Sequence, residues 1–402
     1  MIEKVNQTFF TGVLNAVLNF LTVWVTAKYL GEAGRGDIAL FTLNLSFIQI
    51  FTAIVGSSAI IYLQSRYNLG SILLISSLWA VGISAVGSLV MEWLEILQAG
   101  RLWTTFLVTA FQSLSINCTL LLLGKNKTPL YNLCRVSQPL LVIVIIAVEW
   151  SFSIVNVTVS SFIDVLVFSS FVSFLVSFLL IITSFNVNGL QDIKEAFVSF
   201  FKIGVVNQLT NFVQLVNYRF SYYLLASYWG SKELGIFSLG VALVEGIWIF
   251  KNSLALLHHS EVSNEKNINY QTLLKNKKLM ILSFIVTASL ILVALAIPLK
   301  IYLLIFGQGF EAIKEVIFYI SPGILSIAVS TIIAYFFSGI GLVKYNTYSS
   351  THGLIVILVT GSFLIPQWGL KGAAISNACS YVASSISLFY YYSRYLRVAS
   401  KP

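Results

Sequence analysis

Charge is scarce in this sequence. Only 10% of its 402 residues are Asp, Glu, Lys or Arg, against about 25% in a typical soluble domain. Fifteen acids and 24 bases are too few to cover a water-soluble fold of this length. Cysteine is nearly missing. Cys118, Cys134 and Cys379 all fall in apolar runs, no pair has metal-ligand spacing, and they read as small buried hydrophobes. Histidine is as rare: His258 and His259 are adjacent and point in different directions on a helix, so with His352 they make no shared metal site. Long polar stretches are missing too. The longest runs from His258 to Lys278, which leaves no room for a separate soluble domain. A phosphate-binding loop is also lacking, because Gly124-Lys125-Asn126-Lys127-Thr128 has neither the upstream glycine nor the spacing. No cofactor is expected, and without a catalytic constellation in a sizeable loop an enzyme is not expected either.

What the sequence does have is apolar length. Hydrophobic residues make up 57% and aromatics 14%, and the mean hydropathy is +0.88. Aromatic content of that order excludes disorder. A membrane span needs about 20 mostly apolar residues. Twelve such runs can be marked, at approximately 8–30, 37–63, 70–91, 102–124, 129–149, 158–184, 196–227, 234–257, 278–299, 312–337, 345–366 and 372–396. None alternates every second residue, so a β-barrel is excluded and each run reads as a helix. The expected fold class is an all-α polytopic membrane protein. The first run is longer than a signal-peptide core and no small-x-small site follows it, so it reads as an uncleaved span.

Cations set the expected orientation. With the N-terminus in the cytoplasm, sixteen of the 24 bases fall on the cytoplasmic side, seven on the opposite side, and Arg219 within the membrane. Both termini are therefore expected inside. The excess then faces the leaflet that is normally anionic, so the net charge of +9 calls for no nucleic acid. Pro139, the Pro322-Gly323 pair and the Gly339/Gly341 pair are expected to interrupt helices five and ten and the end of ten.

A repeat divides the chain. Tyr29-Leu30-Gly31 closes the first run and Gly36 follows five residues after Gly31. Tyr228-Trp229-Gly230 closes the seventh run and Gly235 follows five residues after Gly230. The offset is 199, close to half the chain. Two lobes of six helices are expected, 1–190 and 191–402, sharing one orientation about an axis along the membrane normal. Thr8, Gly12, Asn15, Asn19, Thr22 and Thr26 lie on one face of the first helix, and Asn207, Asn211, Gln214, Tyr218 and Ser221 repeat that stripe 199 residues on. Such stripes serve either helix packing or the lining of a central, water-filled cavity.

The stretch Lys28-Tyr29-Leu30-Gly31-Glu32-Ala33-Gly34-Arg35-Gly36 resembles the opening of the polysaccharide and O-antigen flippase family, within the multidrug/oligosaccharidyl-lipid/polysaccharide exporter superfamily. Pro366-Gln367-Trp368-Gly369-Leu370-Lys371-Gly372-Ala373-Ala374 resembles that family's loop before its last helix. The resemblance implies a flippase of a bacterial inner membrane. It implies a role in polysaccharide or lipopolysaccharide biosynthesis, translocating an undecaprenyl-pyrophosphate-linked oligosaccharide by alternating access. Membrane lipids, a polysaccharide polymerase and chain-length machinery are the implied partners. A lipid II flippase makes similar demands on the residues. A cation-coupled multidrug antiporter of the same superfamily needs an acid in the first-lobe cavity, and the first span has none between Glu3 and Glu32.

A lipid diphosphate needs cations at membrane depth, and arginine suits it because its planar fork binds two oxygens at once. Arg219 is the expected main contact, flanked by Asn207, Asn211, Gln214 and Tyr218, with Asn15 and Asn19 on the matching stripe. Arg135, Lys202 and Lys251 are expected at the inner entry, and Lys28 and Arg35 at the outer mouth. An ion pair with Glu245 is the alternative role of Arg219. Glu245 and Asp164 are the acids that could couple transport to an ion, Asp164 having an interfacial position as its alternative. Tyr218, Tyr222, Tyr223, Tyr228 and Trp229 read either as sugar-stacking aromatics or as the interfacial belt.

Overall fold

The computed structural model describes residues 2–151, 158–185, 189–247, 255, 258, 262–263 and 270–399. Lys251 and His259 lie outside the described residues. The long elements are α1 (Ile2–Thr52), α2 (Ser57–Leu63), α3 (Leu69–Trp93), α4 (Leu102–Gly124), α5 (Thr128–Ser151), α6 (Val159–Ser184), α7 (Ile193–Gly246), α8 (Tyr270–Ala296), α9 (Leu299–Phe306), α10 (Ile313–Gly339) and α11 (Lys344–Ala399). There is no strand among the described residues. Helix is the form in which an apolar run satisfies its own backbone where no water is available.

Nine runs among the described residues are long and apolar enough to cross a membrane. The chain is an all-α, multi-pass membrane protein. Three of the runs, Gln7–Leu63, Ile193–Gly246 and Lys344–Arg397, are 54 to 57 residues long. At 1.5 Å per residue such a run reaches about 80 Å, more than twice a hydrocarbon core of about 30 Å. Each is broken by one glycine with non-helical geometry: Gly31 (φ 68°, ψ −172°), Gly230 (φ 82°, ψ −179°) and Gly369 (φ 52°, ψ −124°). That region of backbone space is essentially closed to residues carrying a Cβ. Dividing the three runs at these glycines turns nine into the twelve segments marked in the sequence.

Several expectations need correcting. The second segment does not run unbroken to residue 63: a single 3-10 turn at Ala53–Val55 and Gly56 separate α1 from α2. The helices pass through Pro139 and Pro322 rather than stopping there, since a proline in lipid is tolerated when neighbours satisfy the freed carbonyl. A short helix, α9, fills part of what reads as loop after residue 299. Cys118 and Cys134 are buried, but Cys379 is exposed on α11.

The chain divides into two compact units, one of Met1–Val25 with Ile38–Phe212 and one of Thr26–Asp37 with Val213–Pro402. Compared with a division at 190/191, residues 26–37 and 191–212 change sides. The first unit packs around Ile60, Leu63, Ile72, Leu121, Leu122, Ile181 and Phe200, all fully buried or nearly so. Small hydroxyls let its helices approach: Ser115 and Ser137 both meet Ser173, at 3.1 and 2.8 Å. The second unit packs around Ile333, Phe336, Phe337, Leu388 and Tyr392, with Ser330 on Ser385 at 2.9 Å.

Within the second unit the two repeated junctions meet. A Cβ on Gly36 would stand 1.8 Å from the carbonyl oxygen of Ser231, and one on Gly235 would stand 1.7 Å from that of Glu32. Gly235 is Gly36 plus 199 and Ser231 is Glu32 plus 199, so the contact is reciprocal, as across a local two-fold axis. Lys232 reaches Glu32 at 3.4 Å and Ser231 Oγ donates to the Asp37 carboxylate. Because the obstructing atoms are backbone, an added methyl must move a helix. Gly36→Ala and Gly235→Ala are each expected to lower the thermal midpoint of the purified protein, at a cost of about 1–3 kcal/mol. Gly12→Ala, with nothing within 4 Å of the new carbon, should leave it unchanged. Equal effects at all three positions would contradict the crossing.

Candidate functional site

Residues 26–37 carry a cation into the second unit. Arg35 is only 9% exposed. Its Nη1 donates to Thr26 Oγ1 at 3.4 Å, and its Nε has no hydrogen-bond partner. The junction crossing folds it inward among protein groups. On α7, Arg219 Nη2 donates to Glu245 Oε2 at 2.8 Å, the side chains being 25% and 22% exposed. Arg219 Nη1 donates to Tyr222 Oη at 3.1 Å, and its Cζ stands 5.0 Å from that ring's centroid. The ion pair that the sequence leaves as an alternative is therefore formed. Tyr222, Arg219 and Arg35 are near enough to feel one another's charge. Buried Arg35 and the half-buried Arg219–Glu245 pair together carry one positive charge in excess.

A cavity of about 380 Å³ lies in the same unit. Gln214 and Tyr218 of the α7 stripe line it, together with Thr331 and Ser338 of α10 and Asn346 and Ser384 of α11, all within the second unit. Every described side chain that lines it is uncharged. Tyr218 is held edge-on to Tyr381, with centroids 5.5 Å apart. Asn217, also on the lining, is buried and accepts a hydrogen bond from Ser380 Oγ. The contribution of α10 is legible only as a pattern of small residues, Ser330, Ala334 and Ser338 recurring every fourth position, which in lipid equally signals packing.

The other expected residues are spread more widely. Arg135 lines a second cavity, of about 200 Å³, in the first unit, beside Gln112, Gln138 and Ser173. Asn15 is half-buried and Asn19 exposed on the first helix, Asn207 is exposed, and Asn211, also exposed, donates to Gln208 at 2.9 Å. Lys202 and Asp164 are exposed. Lys28 Nζ donates to the Leu304 carbonyl at 2.6 Å. Among the described residues no group of His, Cys, Asp and Glu is arranged to hold a metal ion.

Removing one member of the Arg219–Glu245 pair strands the other. Glu245→Leu alone is expected to cost about 1–3 kcal/mol, between the values for surface and buried pairs, read as a fall in thermal midpoint. The double variant Arg219→Met/Glu245→Leu should recover most of that loss. A double variant that melts lower than either single one would contradict a closed pair.

No protein-family model matches the chain. The capsular polysaccharide biosynthesis protein CapF of Staphylococcus aureus is 24% identical over 212 residues, which is 52% of this chain and 52% of that protein, so the match spans about half the length of the curated relative. Among solved structures, the lipid II flippase MurJ in an inward closed conformation superposes with a TM-score of 0.77 at 16% identity, over 98% of this chain and 88% of that one. A multidrug resistance MATE transporter of the MOP superfamily, in its inward-facing conformation, superposes with a TM-score of 0.71 at 11% identity, over 98% and 95%. The chain has the fold that these flippases and multidrug transporters share.

Proposed function

We propose that the protein is a flippase that carries a lipid-linked oligosaccharide, joined through a diphosphate to a polyprenyl chain, from the inner to the outer leaflet of a bacterial cytoplasmic membrane by alternating access. Both of its termini face the cytoplasm in this reading. The observation that carries it is the excess positive charge of buried Arg35 and half-buried Arg219 over Glu245, together with a cavity in the same unit whose described lining is uncharged and hydroxyl-rich. A diphosphate with sugars attached presents the matching pattern, two negative charges followed by hydroxyls. Arginine binds diphosphate oxygens in pairs, and Arg135 in the first unit's cavity supplies a cation toward the inner leaflet. The fold likeness to a lipid II flippase and the partial likeness to a capsular polysaccharide biosynthesis protein support the same class of substrate.

The fold likeness to a MATE transporter favours a second reading, export of cationic drugs coupled to an ion. That chemistry wants an acid free to exchange a cation. Glu245 is instead held by Arg219 at 2.8 Å, which favours the anionic substrate.

The test is made in a strain lacking the gene and complemented with variants. Each charge-assisted contact is worth about 1.5–3 kcal/mol, so Arg35→Ala, Arg219→Ala and Arg219→Lys should each reduce surface polysaccharide roughly tenfold or more at unchanged protein level. Lipid-linked units should accumulate on the inner leaflet. Arg219→Met/Glu245→Leu should restore stability and not export, which separates the role in transport from that in folding. Normal surface polysaccharide in all four variants would remove the assignment.

A further inference from the structure

We infer that the 380 Å³ cavity of the second unit is a subsite for an uncharged oligosaccharide, separate from the charged group that meets the diphosphate. Its volume lies near the lower end of the roughly 300–1,000 Å³ of small-molecule pockets, which suits the head of a glycan and not a polymer.

Two lining groups are fixed within the wall. Asn346 donates both of its amide hydrogens to the protein, to the Ala334 carbonyl at 2.9 Å and to Ser338 Oγ at 3.0 Å. Those bonds fix the amide, and its Oδ1 is left buried without a partner. Ser384 Oγ is in the same condition. Both atoms are closed to water, so these two residues hold the wall in place and the other lining groups present its polar face. Gln214 and Thr331 extend the polar wall, and Tyr218 and Tyr335 add ring surface of the amphipathic kind that suits a sugar, apolar on its faces and polar at its edge.

The uncharged lining also decides what stays out. A carboxylate or phosphate entering the cavity gives up its hydration with no cation among the described lining residues to replace it. Along the sequence a cation stands directly beside one lining residue: Arg219, the residue after Tyr218. Adjacent positions on one helix point about 100° apart, so α7 sorts the two ends of one substrate, sugar to the Tyr218 side and diphosphate to the Arg219 side. As the site of a transported glycan this inference rests on the flippase reading; binding itself does not depend on it.

The experiment uses the full-length protein purified in lipid nanodiscs and saturation-transfer NMR. The uncharged probes are N,N′-diacetylchitobiose and maltose, and the charged probe is a uronate-containing hyaluronan disaccharide. Both uncharged probes should receive saturation, and the uronate should bind roughly tenfold more weakly or worse. Ser384→Phe, which fills the cavity, should abolish the signal, and Asn346→Ala should weaken binding several-fold. Should Ser384→Phe fail to melt cooperatively, Asn346→Ala decides. No transfer to the wild-type protein, equal transfer to the altered proteins, or equal binding of the uronate would each overturn the inference. Export that fails in the Arg219 variants while no saccharide binds keeps the flippase and discards the subsite. Saccharide binding with normal export in those variants does the reverse.

Discussion

No water reaches the backbone of a chain in hydrocarbon, so each segment must close its own hydrogen bonds and then turn before it leaves the membrane. The rest of the structure depends on how that turn is made. Three helical runs are about twice as long as a membrane is thick, and each contains one residue whose backbone lies where only glycine sits comfortably, at Gly31, Gly230 and Gly369. An aromatic residue precedes each of these glycines by one or two positions: Tyr29, Trp229 and Trp368. The second and third junctions also touch, since Trp229 donates to the Ile365 carbonyl at 2.9 Å and covers Gly369. Five residues beyond the first two breaks, Gly36 and Gly235 permit an approach between backbones that no other side chain allows.

That approach has an electrostatic consequence. By folding residues 26–37 against the start of the segment after Gly230, it carries Arg35 out of reach of water. A guanidinium held in such a place is expensive unless something compensates it. Glu245 is already engaged by Arg219, and Tyr222 receives a hydrogen bond from Arg219. The excess positive charge is thus a product of a close backbone crossing, and an anionic ligand would complete it. The cavity in the same unit is built on the opposite rule, with hydroxyls and amides and no charge among the described residues of its lining.

Much of the fold was legible because one physical signal dominates it. Apolar length bounded by charge or glycine marks a membrane helix nearly wherever it occurs, and the offset of 199 between Gly31 and Gly230 marked the repeat. The Arg219–Glu245 pair was legible as one of two roles, since an intramembrane base and an intramembrane acid seek each other. The burial of Arg35 was not legible, because it follows from a contact between segments 199 residues apart and not from its own neighbours in sequence. The sugar-sized cavity was only half legible. Gln214 and Tyr218 stood on a recognisable stripe, whereas Ser338, Asn346 and Ser384 belong to helices where small polar residues equally well serve packing. The break at Gly56 escaped notice because the apolar run continues across it.

Movement of the substrate itself is the most direct measurement. Purified protein is reconstituted into liposomes that carry a polyprenyl-diphosphate-linked oligosaccharide, and a lectin outside reports the head groups that reach the outer leaflet. A lectin-accessible fraction that grows with time in these liposomes and stays constant in protein-free ones is the expected result. The same slow, constant accessibility in both would contradict a flippase.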